Sequence, residues 1–184
     1  LNLLNEESME EILDEGILQT IGQFCLEDDE TMLSTCARVL CVCSTTKSGR
    51  GHIVHRRKTL SGLFSLIRSS CRETQLFCAK AVTNLMGCDS SRTITANSGG
   101  LTVLRILTTL DDYCNDVAEL AATNVGDDVV EARHAELRDM KHACETKFCA
   151  TLVDVVNEDK CHEHILNENI CTVLVMLCQS SNDS

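Results

Sequence analysis

The residues whose types and spacing come nearest to metal chemistry are Cys161, His162 and His164, in the motif CHEH. Thiolate and imidazole groups are the usual ligands of structural zinc. Neighbouring side chains on a helix do not face one another, and no matching C-x-x-C pair lies nearby in the sequence. We therefore predict that the chain holds no metal and needs no cofactor.

The sequence also lacks the short motifs of common enzymes. The phosphate-binding patterns G-x-G-x-x-G and G-x-x-x-x-G-K-[ST] and the hydrolase pattern G-x-S-x-G are all absent. The segment SGRG at 48–51 is predicted to be a loop. Thirteen cysteines and six histidines leave a Cys–His nucleophile open on composition alone, but no local signature supports one. We expect a protein that is not an enzyme, with no catalytic residue and no small-molecule substrate.

The cysteines occur mainly inside apolar helical runs, as at Cys36, Cys41, Cys43, Cys78, Cys149, Cys171 and Cys178. A cysteine outside a disulfide behaves as a small hydrophobic residue and is often buried, whereas a secreted disulfide scaffold is usually shorter and richer in loops. We predict reduced thiols and a cytoplasmic protein, with the nucleus and the cytoskeleton as alternative locations. The apolar runs are far shorter than the roughly 20 residues of a membrane-spanning helix.

These cysteines belong to elements that repeat along the chain. Four segments share an apolar residue, a short polar stretch and then apolar residues at helical spacing; they begin at Ile12, Val54, Ile94 and Ile165. Their equivalent apolar positions are Ile21, Leu63, Leu104 and Leu174, of which the first three are 42 and 41 residues apart. A period near 40 residues is typical of armadillo or HEAT repeats.

A second helix, marked by small residues, follows each of the first three segments. Ala37, Ala79 and Ala121 lie in these helices and are spaced by 42 residues in both steps. Aromatic residues make up only 3% of the chain and proline is absent, so the core must use Leu, Val, Ile, Ala and Cys in closely packed helices. The pattern predicts helices near 9–24, 31–43, 59–68, 73–86, 99–109, 113–125, 129–142, 144–157 and 168–178.

The repeat unit resembles the armadillo repeat. Gly16 and Gly99 fall where that family has a glycine, and Asn84 and Asn124 fall at its terminal asparagine. The acidic turns CLEDDET and TTLDDYCND match the break before the last helix of the unit. In such a unit, glycine ends a helix in a left-handed conformation, and Asp or Ser caps the next helix.

The resemblance implies an all-α, right-handed armadillo/HEAT-like superhelix of about four to five repeats. Residues 1–184 would form a single repeat domain, with repeats near 10–44, 54–88, 92–125, 128–157 (irregular) and 162–178 (partial). Since an apolar repeat layer needs a further repeat to cover it, we expect the chain to be a fragment of a longer array.

Charge is segregated along the chain. Residues 1–30 contain ten acids and no Lys or Arg, residues 31–110 have a net charge of +9, and residues 111–184 have a net charge of −11. The basic density is greatest in 47–58, which we predict to be a mobile glycine-containing loop. The basic patch Arg50, Arg56, Arg57 and Lys58 is the candidate surface for an acidic partner. The acidic cluster 27–30 is an internal competitor for it.

A second candidate surface is the groove that the last helices of successive repeats would line, with Lys80, Asn84, Leu120 and Asn124. The resemblance implies a scaffold or adaptor that binds a protein or peptide. A structural element of a cytoskeletal or ciliary assembly is the alternative. An importin-α-like transport adaptor is a second alternative. It is disfavoured because no Trp precedes Asn84 or Asn124 by one helical turn. Nucleic acid is not expected as a partner, because the chain is acidic, at −12, and poor in aromatic residues.

Overall fold

The computed structural model describes Leu13, residues 16–107, residues 127–167 and Ile170. Every regular element in these ranges is helical, and no strand occurs in them. The prediction of an all-α fold is confirmed for this part of the chain. None of its helices is long and apolar enough to cross a membrane.

The helices follow one another with short connections up to residue 107. They are α1 (Ile17–Phe24), α2 (Glu30–Cys43), α3 (Lys47–His55), α4 (Arg57–Ser65), α5 (Arg72–Met86), α6 (Asp89–Thr95), α7 (Leu101–Leu107), α8 (Asp127–Val156) and α9 (His162–Asn167). A 3₁₀ turn, Leu66–Arg68, follows α4, and a second one, Asp159–Cys161, precedes α9. A π-helical turn, Ala96–Gly100, joins α6 to α7.

Residues expected from the sequence mark several helix boundaries. Gly16, with φ of 76°, precedes α1, and Gly99, with φ of 105°, precedes α7. Both are left-handed conformations that glycine adopts without steric cost. Asp29 caps α2, because its Oδ1 accepts hydrogen bonds from the backbone N–H groups of Thr31 and Met32 at 2.9 and 3.1 Å. The left-handed glycines and the Asp29 cap are therefore confirmed, but the predicted helix at 9–24 is wrong, because Gly16 interrupts it. The second acidic turn, TTLDDYCND, lies outside the described residues.

The predicted loop at 47–58 is wrong, since 47–55 forms α3. The Thr46 Oγ1 accepts a hydrogen bond from Gly49 N–H at 3.0 Å and caps this helix, while His52 and His55 occupy its last turn, near the negative end of the helix dipole. The prediction also divided 129–157 into two helices. The structure has one, α8, because no glycine or proline interrupts 127–156.

Helices about 40 residues apart in sequence pack on each other: α1 packs against α4, and α2 packs against α5. Thr59 Oγ1 donates to the Leu18 carbonyl oxygen, 41 residues earlier, at 2.8 Å. Ser65 Oγ donates to the carbonyl oxygen of Cys25, 40 residues earlier, also at 2.8 Å. These hydrogen bonds fix the register of α4 on α1, because each satisfies a particular carbonyl group of the earlier helix.

Two glycines allow α1 and α4 to approach closely. A Cβ atom added to Gly62 would lie 2.5 Å from the Gly22 carbonyl oxygen, and one added to Gly22 would lie 2.7 Å from the Thr59 Cα. Any larger residue would therefore separate the two backbones. The close approach is a backbone contact between helices about 40 residues apart in sequence.

Helix α5 is the centre of the described structure. Eleven of its 15 residues are buried, and it packs against α2, α7 and α8. On α8 the residues facing the core are spaced at helical intervals: Cys144, Phe148, Thr151, Leu152 and Val155. Phe148 is the largest fully buried side chain in the described ranges. The core otherwise uses small and aliphatic residues, as the composition indicates.

The cysteines divide according to the faces of their helices. Cys36, Cys41, Cys43 and Cys78 are buried as expected. Cys149 is exposed, so its predicted core position is wrong; it falls outside the buried stripe of α8. Cys171 and Cys178 lie outside the described residues.

Candidate partner-binding surface

The basic patch has an inward-directed half and an exposed half. The Arg50 Nη1 donates to the carbonyl oxygens of Ser44 at 3.1 Å and Thr45 at 2.8 Å. The Arg56 Nη1 donates to the Leu13 carbonyl oxygen at 3.1 Å. Backbone carbonyls just past a helix end lack intrahelical partners, so Arg50 completes the C-terminal end of α2. Both arginines are only partly exposed and serve the chain's own fold.

Arg57 and Lys58 form the exposed half of the patch, in the first turn of α4. Within the ranges that the structure describes, neither side chain makes an ion pair with a carboxylate. The first turn of α4 also contains no acidic residue. Two cations at a helix N-terminus are unfavourable to the helix dipole, so their placement here is not explained by helix stability.

A groove with a volume of about 360 Å³ lies beside Arg57. It is lined by Arg57, Leu60, Ser61 and Phe64 of α4 and by Asn97 and Ser98 of the π-helical turn. Leu60 is buried and Phe64 partly buried, so they form its floor, while the other four residues are exposed at its rim. The Phe64 ring lies 4.0 Å from the point where Gly99 would carry a Cβ atom.

Two residues of the acidic cluster 27–30, Asp29 and Glu30, are engaged away from this groove. Asp29 caps α2. The Glu30 carboxylate accepts hydrogen bonds from Ser69 Oγ at 2.6 Å, from Ser70 Oγ at 2.7 Å and from Ser70 N–H at 3.0 Å. Hydrogen bonds from Ser69 and then Ser70 lower the pKa of Glu30, because they stabilise its charged form. Asp29 and Glu30 therefore do not fold back onto the basic patch.

The second candidate surface is partly covered by the chain itself. Lys80 is exposed on α5, but Asn84 is only 9% exposed. The Asn84 Nδ2 donates to Ser44 Oγ at 2.9 Å, and its Oδ1 accepts from Lys147 Nζ at 2.5 Å. Asn84 thus links α2, α5 and α8. Leu120 and Asn124 lie outside the described residues.

An ion pair holds α8 beside α6. Arg92 Nη2 contacts Asp154 Oδ2 at 3.2 Å and Asp89 Oδ1 at 2.8 Å, while Arg92 Nε donates to the Met86 carbonyl oxygen at 3.1 Å. Arg92 is only 9% exposed, so its charge is neutralised within the fold. The C-terminal half of α8 is consequently bound to α5 and α6 by both polar and apolar contacts.

Cys161 and His162 of the CHEH motif lie in different surroundings. Cys161 is buried, whereas His162 is exposed and its Nε2 lies 2.6 Å from the Val156 carbonyl oxygen. Among the described side chains, no group of three or more His, Cys, Asp or Glu is arranged to hold a metal ion. None of the ten cysteines in these ranges forms a disulfide.

Cys88 is a chemically distinctive thiol that sequence analysis did not single out. Its Sγ lies 3.3 Å from Ser90 Oγ. That hydrogen bond lowers the pKa of Cys88 to about 7, with smaller contributions from the Ser90 N–H and the Arg50 side chain. The signal in the sequence was Cys-x-Ser at the start of a helix, with Cys88 at the N-cap. The approach of Arg50 depends on the tertiary fold.

The groove beside Arg57 was also missed. Its α4 side has the spacing i, i+3, i+4 and i+7, which a helix beginning at residue 57 would have indicated. The wall formed by Asn97 and Ser98 depends on long-range packing.

These features define a helical protein with an exposed cationic groove. No protein-family model, no curated protein and no solved structure matches the chain.

Proposed function

We propose that the chain is a non-enzymatic protein-interaction scaffold made of armadillo-like repeats, which binds a protein or peptide partner through its surface. The observation that supports this most directly is a set of hydrogen bonds that recur at one sequence separation. Side chains of α4, α5 and the turn between them bond to groups 39–41 residues earlier. Stacked repeats create extended surfaces, and protein binding is a common use of such surfaces.

The proposed partner is acidic at its point of contact. Arg57 and Lys58 are exposed without a carboxylate partner in the described ranges, and they belong to the segment 31–110, with its net charge of +9. A field of this sign attracts an acidic surface and repels a basic one. Single exposed pairs contribute only about 0–1 kcal/mol, so recognition would use several contacts together.

A structural role in a larger assembly, cytoskeletal or ciliary, is the second candidate function. The observation that favours it is the engagement of Asn84 by Ser44 and Lys147, which leaves this asparagine unavailable for a bound peptide. The same contact weakens the proposal of an importin-α-like adaptor, in which the asparagine would hold the peptide backbone. Contacts with neighbouring molecules would then involve the helix edges and loops.

The test is an affinity purification followed by direct binding to the purified partner. The double variant Arg57→Glu/Lys58→Glu reverses the exposed half of the basic patch. Lys80→Glu reverses the exposed cation near Asn84, and Arg68→Glu reverses an exposed cation at the end of the α4 segment as a charge control. We expect the double variant to lose the partner, the other two to retain it, and none of the three to lower the melting temperature.

Other outcomes identify other surfaces. Loss of the partner with Lys80→Glu alone would transfer the binding site to the face of α5. Binding is measured near physiological salt, where exposed charges are screened over about 8–10 Å. If every variant still bound the partner there, the electrostatic proposal would be contradicted. A purified partner that the wild-type chain does not bind directly would contradict the scaffold proposal itself.

A further inference from the structure

We propose that the groove between α4 and the π-helical turn Ala96–Gly100 binds one acidic residue of a peptide together with an adjacent aliphatic side chain. This inference rests on the proposed function and assigns it a particular site and ligand chemistry. The occupant is an extended acidic peptide segment of a protein partner, with a carboxylate at Arg57 and an aliphatic group over Phe64.

The first step is the arrangement of groups around the groove. Arg57 supplies a cation to the rim, and Ser61, Asn97 and Ser98 supply polar groups. No Asp or Glu of the described residues lines it. A guanidinium forms paired hydrogen bonds with a carboxylate, and the neighbouring hydroxyl and amide groups donate to the remaining oxygen lone pairs. The rim therefore suits an anion better than a cation.

The second step is the apolar floor. Leu60 and Phe64 lie one and two helical turns beyond Arg57 on the same face of α4. Phe64 packs against the hydrophobic core but stays partly exposed. A free inorganic anion would gain nothing from this floor, whereas an aliphatic side chain would bury apolar surface on it. The combination of floor and rim thus favours a peptide over a simple ion.

The third step is the volume and shape. About 360 Å³ lies at the lower limit of ligand pockets and is enough for one or two side chains. Gly99 keeps the groove open, because its left-handed backbone brings Asn97 and Ser98 to the opposite wall without placing a side chain over Phe64. The rim residues are all exposed, so an extended segment of a larger protein has access.

The probes for the test are three unlabelled nonapeptides. Each has a Gly-Ser background and one of three central sequences: Glu-Leu-Glu, Gln-Leu-Gln or Glu-Gly-Glu. Each is titrated into the ¹⁵N-labelled chain and followed by NMR. We expect Glu-Leu-Glu to bind saturably and to shift the amide signals of Ser61, Phe64, Asn97 and Ser98. The neutral peptide, Gln-Leu-Gln, should bind about tenfold more weakly or not at all, because a hydrogen bond to a charged group is stronger than one to a neutral group. The glycine-centred peptide should also bind more weakly.

Matched variants locate the site. Arg57→Glu should reduce the affinity for Glu-Leu-Glu about tenfold or more, whereas Lys58→Glu makes the same charge change one residue away, outside the lining, and should have a smaller effect. Ser98→Asp keeps Arg57 and adds a carboxylate to the opposite wall, so it should also weaken binding. No variant may have a lower melting temperature than the wild-type chain.

Three results would overturn the inference. The first is an equal loss of affinity in Arg57→Glu and Lys58→Glu, and the second is equal affinity for the charged and neutral peptides. The third is that inorganic phosphate shifts the same amide signals while Glu-Leu-Glu does not. If Arg57→Glu still binds the purified protein partner while no peptide occupies the groove, the groove is excluded and the scaffold proposal stands. If the wild-type chain binds no purified protein partner but the peptide occupies the groove, the scaffold proposal fails and the groove remains.

Discussion

At the scale of single residues, the polar contacts of Glu30 connect the start of α2 to the turn before α5. Three hydrogen bonds from Ser69 and Ser70 reach its carboxylate. These donors stabilise the ionised form, which is why the pKa of Glu30 lies below its ordinary value. The contact therefore depends on pH, with a sign that follows from linkage.

Glu30→Gln is expected to lower the free energy of unfolding at neutral pH. It should also make that free energy depend less on pH in the acid range. Because the folded-state pKa is lowered, the stabilisation is complete above the unfolded-state pKa of about 4.3 and is lost as pH falls through the folded-state value. Urea denaturation of wild type and variant from pH 3 to 7 measures this. Glu27→Gln, at an exposed residue of the same acidic cluster, is the control. A difference between wild type and Glu30→Gln that stays constant over this range would contradict the prediction.

Cys88 is expected to be alkylated faster than the other described thiols at neutral pH. With a pKa of about 7, about half of it is thiolate at pH 7, compared with a few per cent for an ordinary cysteine. Iodoacetamide labelling of the native protein from pH 6 to 9, read by peptide mass spectrometry, gives the rate midpoint. Buried Cys78, whose pKa is raised by burial, is the unreactive reference.

Ser90→Ala provides the second arm of the Cys88 experiment. It removes the hydrogen bond that contributes most to the lowered pKa, so the rate midpoint should move to higher pH. An unchanged midpoint in Ser90→Ala, or labelling of Cys88 no faster than that of exposed Cys149, would argue against the proposed thiolate.

At the scale of helices, the contact of α1 with α4 depends on the absence of side chains at Gly22 and Gly62. Gly62→Ala is expected to lower the free energy of unfolding by about 1–3 kcal/mol, the usual cost of overpacking. The added Cβ would meet the Gly22 carbonyl oxygen at 2.5 Å, and a backbone carbonyl cannot rotate away as a side chain does. The measurement is the urea denaturation midpoint.

Gly51→Ala is the control, because a Cβ atom there meets nothing within 4 Å. Residue 51 lies in the middle of α3, so alanine should raise the free energy of unfolding by about 0.5–1 kcal/mol through its better helix propensity. If both alanine variants were equally destabilised, the cause would lie in glycine replacement in general and not in the helix contact.

At the scale of the whole molecule, periodic positions in the sequence predicted much of the core. Leu63 and Leu104 are fully buried, as are Ala37 and Ala79. Their burial was predictable because apolar or small residues recur at these positions with a regular spacing, on the apolar faces of the predicted helices. The left-handed conformations of Gly16 and Gly99 were expected from the resemblance to the armadillo repeat, which has a glycine at these positions.

Two features of the fold were not predictable from this pattern. The polar, glycine-containing segment 47–55 is a helix because Thr46 caps it and its apolar residues, Ile53 and Val54, are buried against the core. The neighbour of Asn84 on α8 is Lys147, 63 residues later, and no 40-residue period indicates that separation. For the groove, Arg57 was identified from charge alone, whereas its opposite wall required the packing of α6 and the π-helical turn on α4.

The register of α4 on α1 constrains where the chain can change length. Inserting one residue in α1 between Leu18 and Gly22 would rotate the following residues by about 100° and bring Ile21 to the place of Gly22. Its side chain would then meet the backbone at Thr59, where even a Cβ atom is too close. Insertions and deletions in related sequences should therefore collect in the turns, such as 25–29 between α1 and α2, and spare the helices that carry this contact.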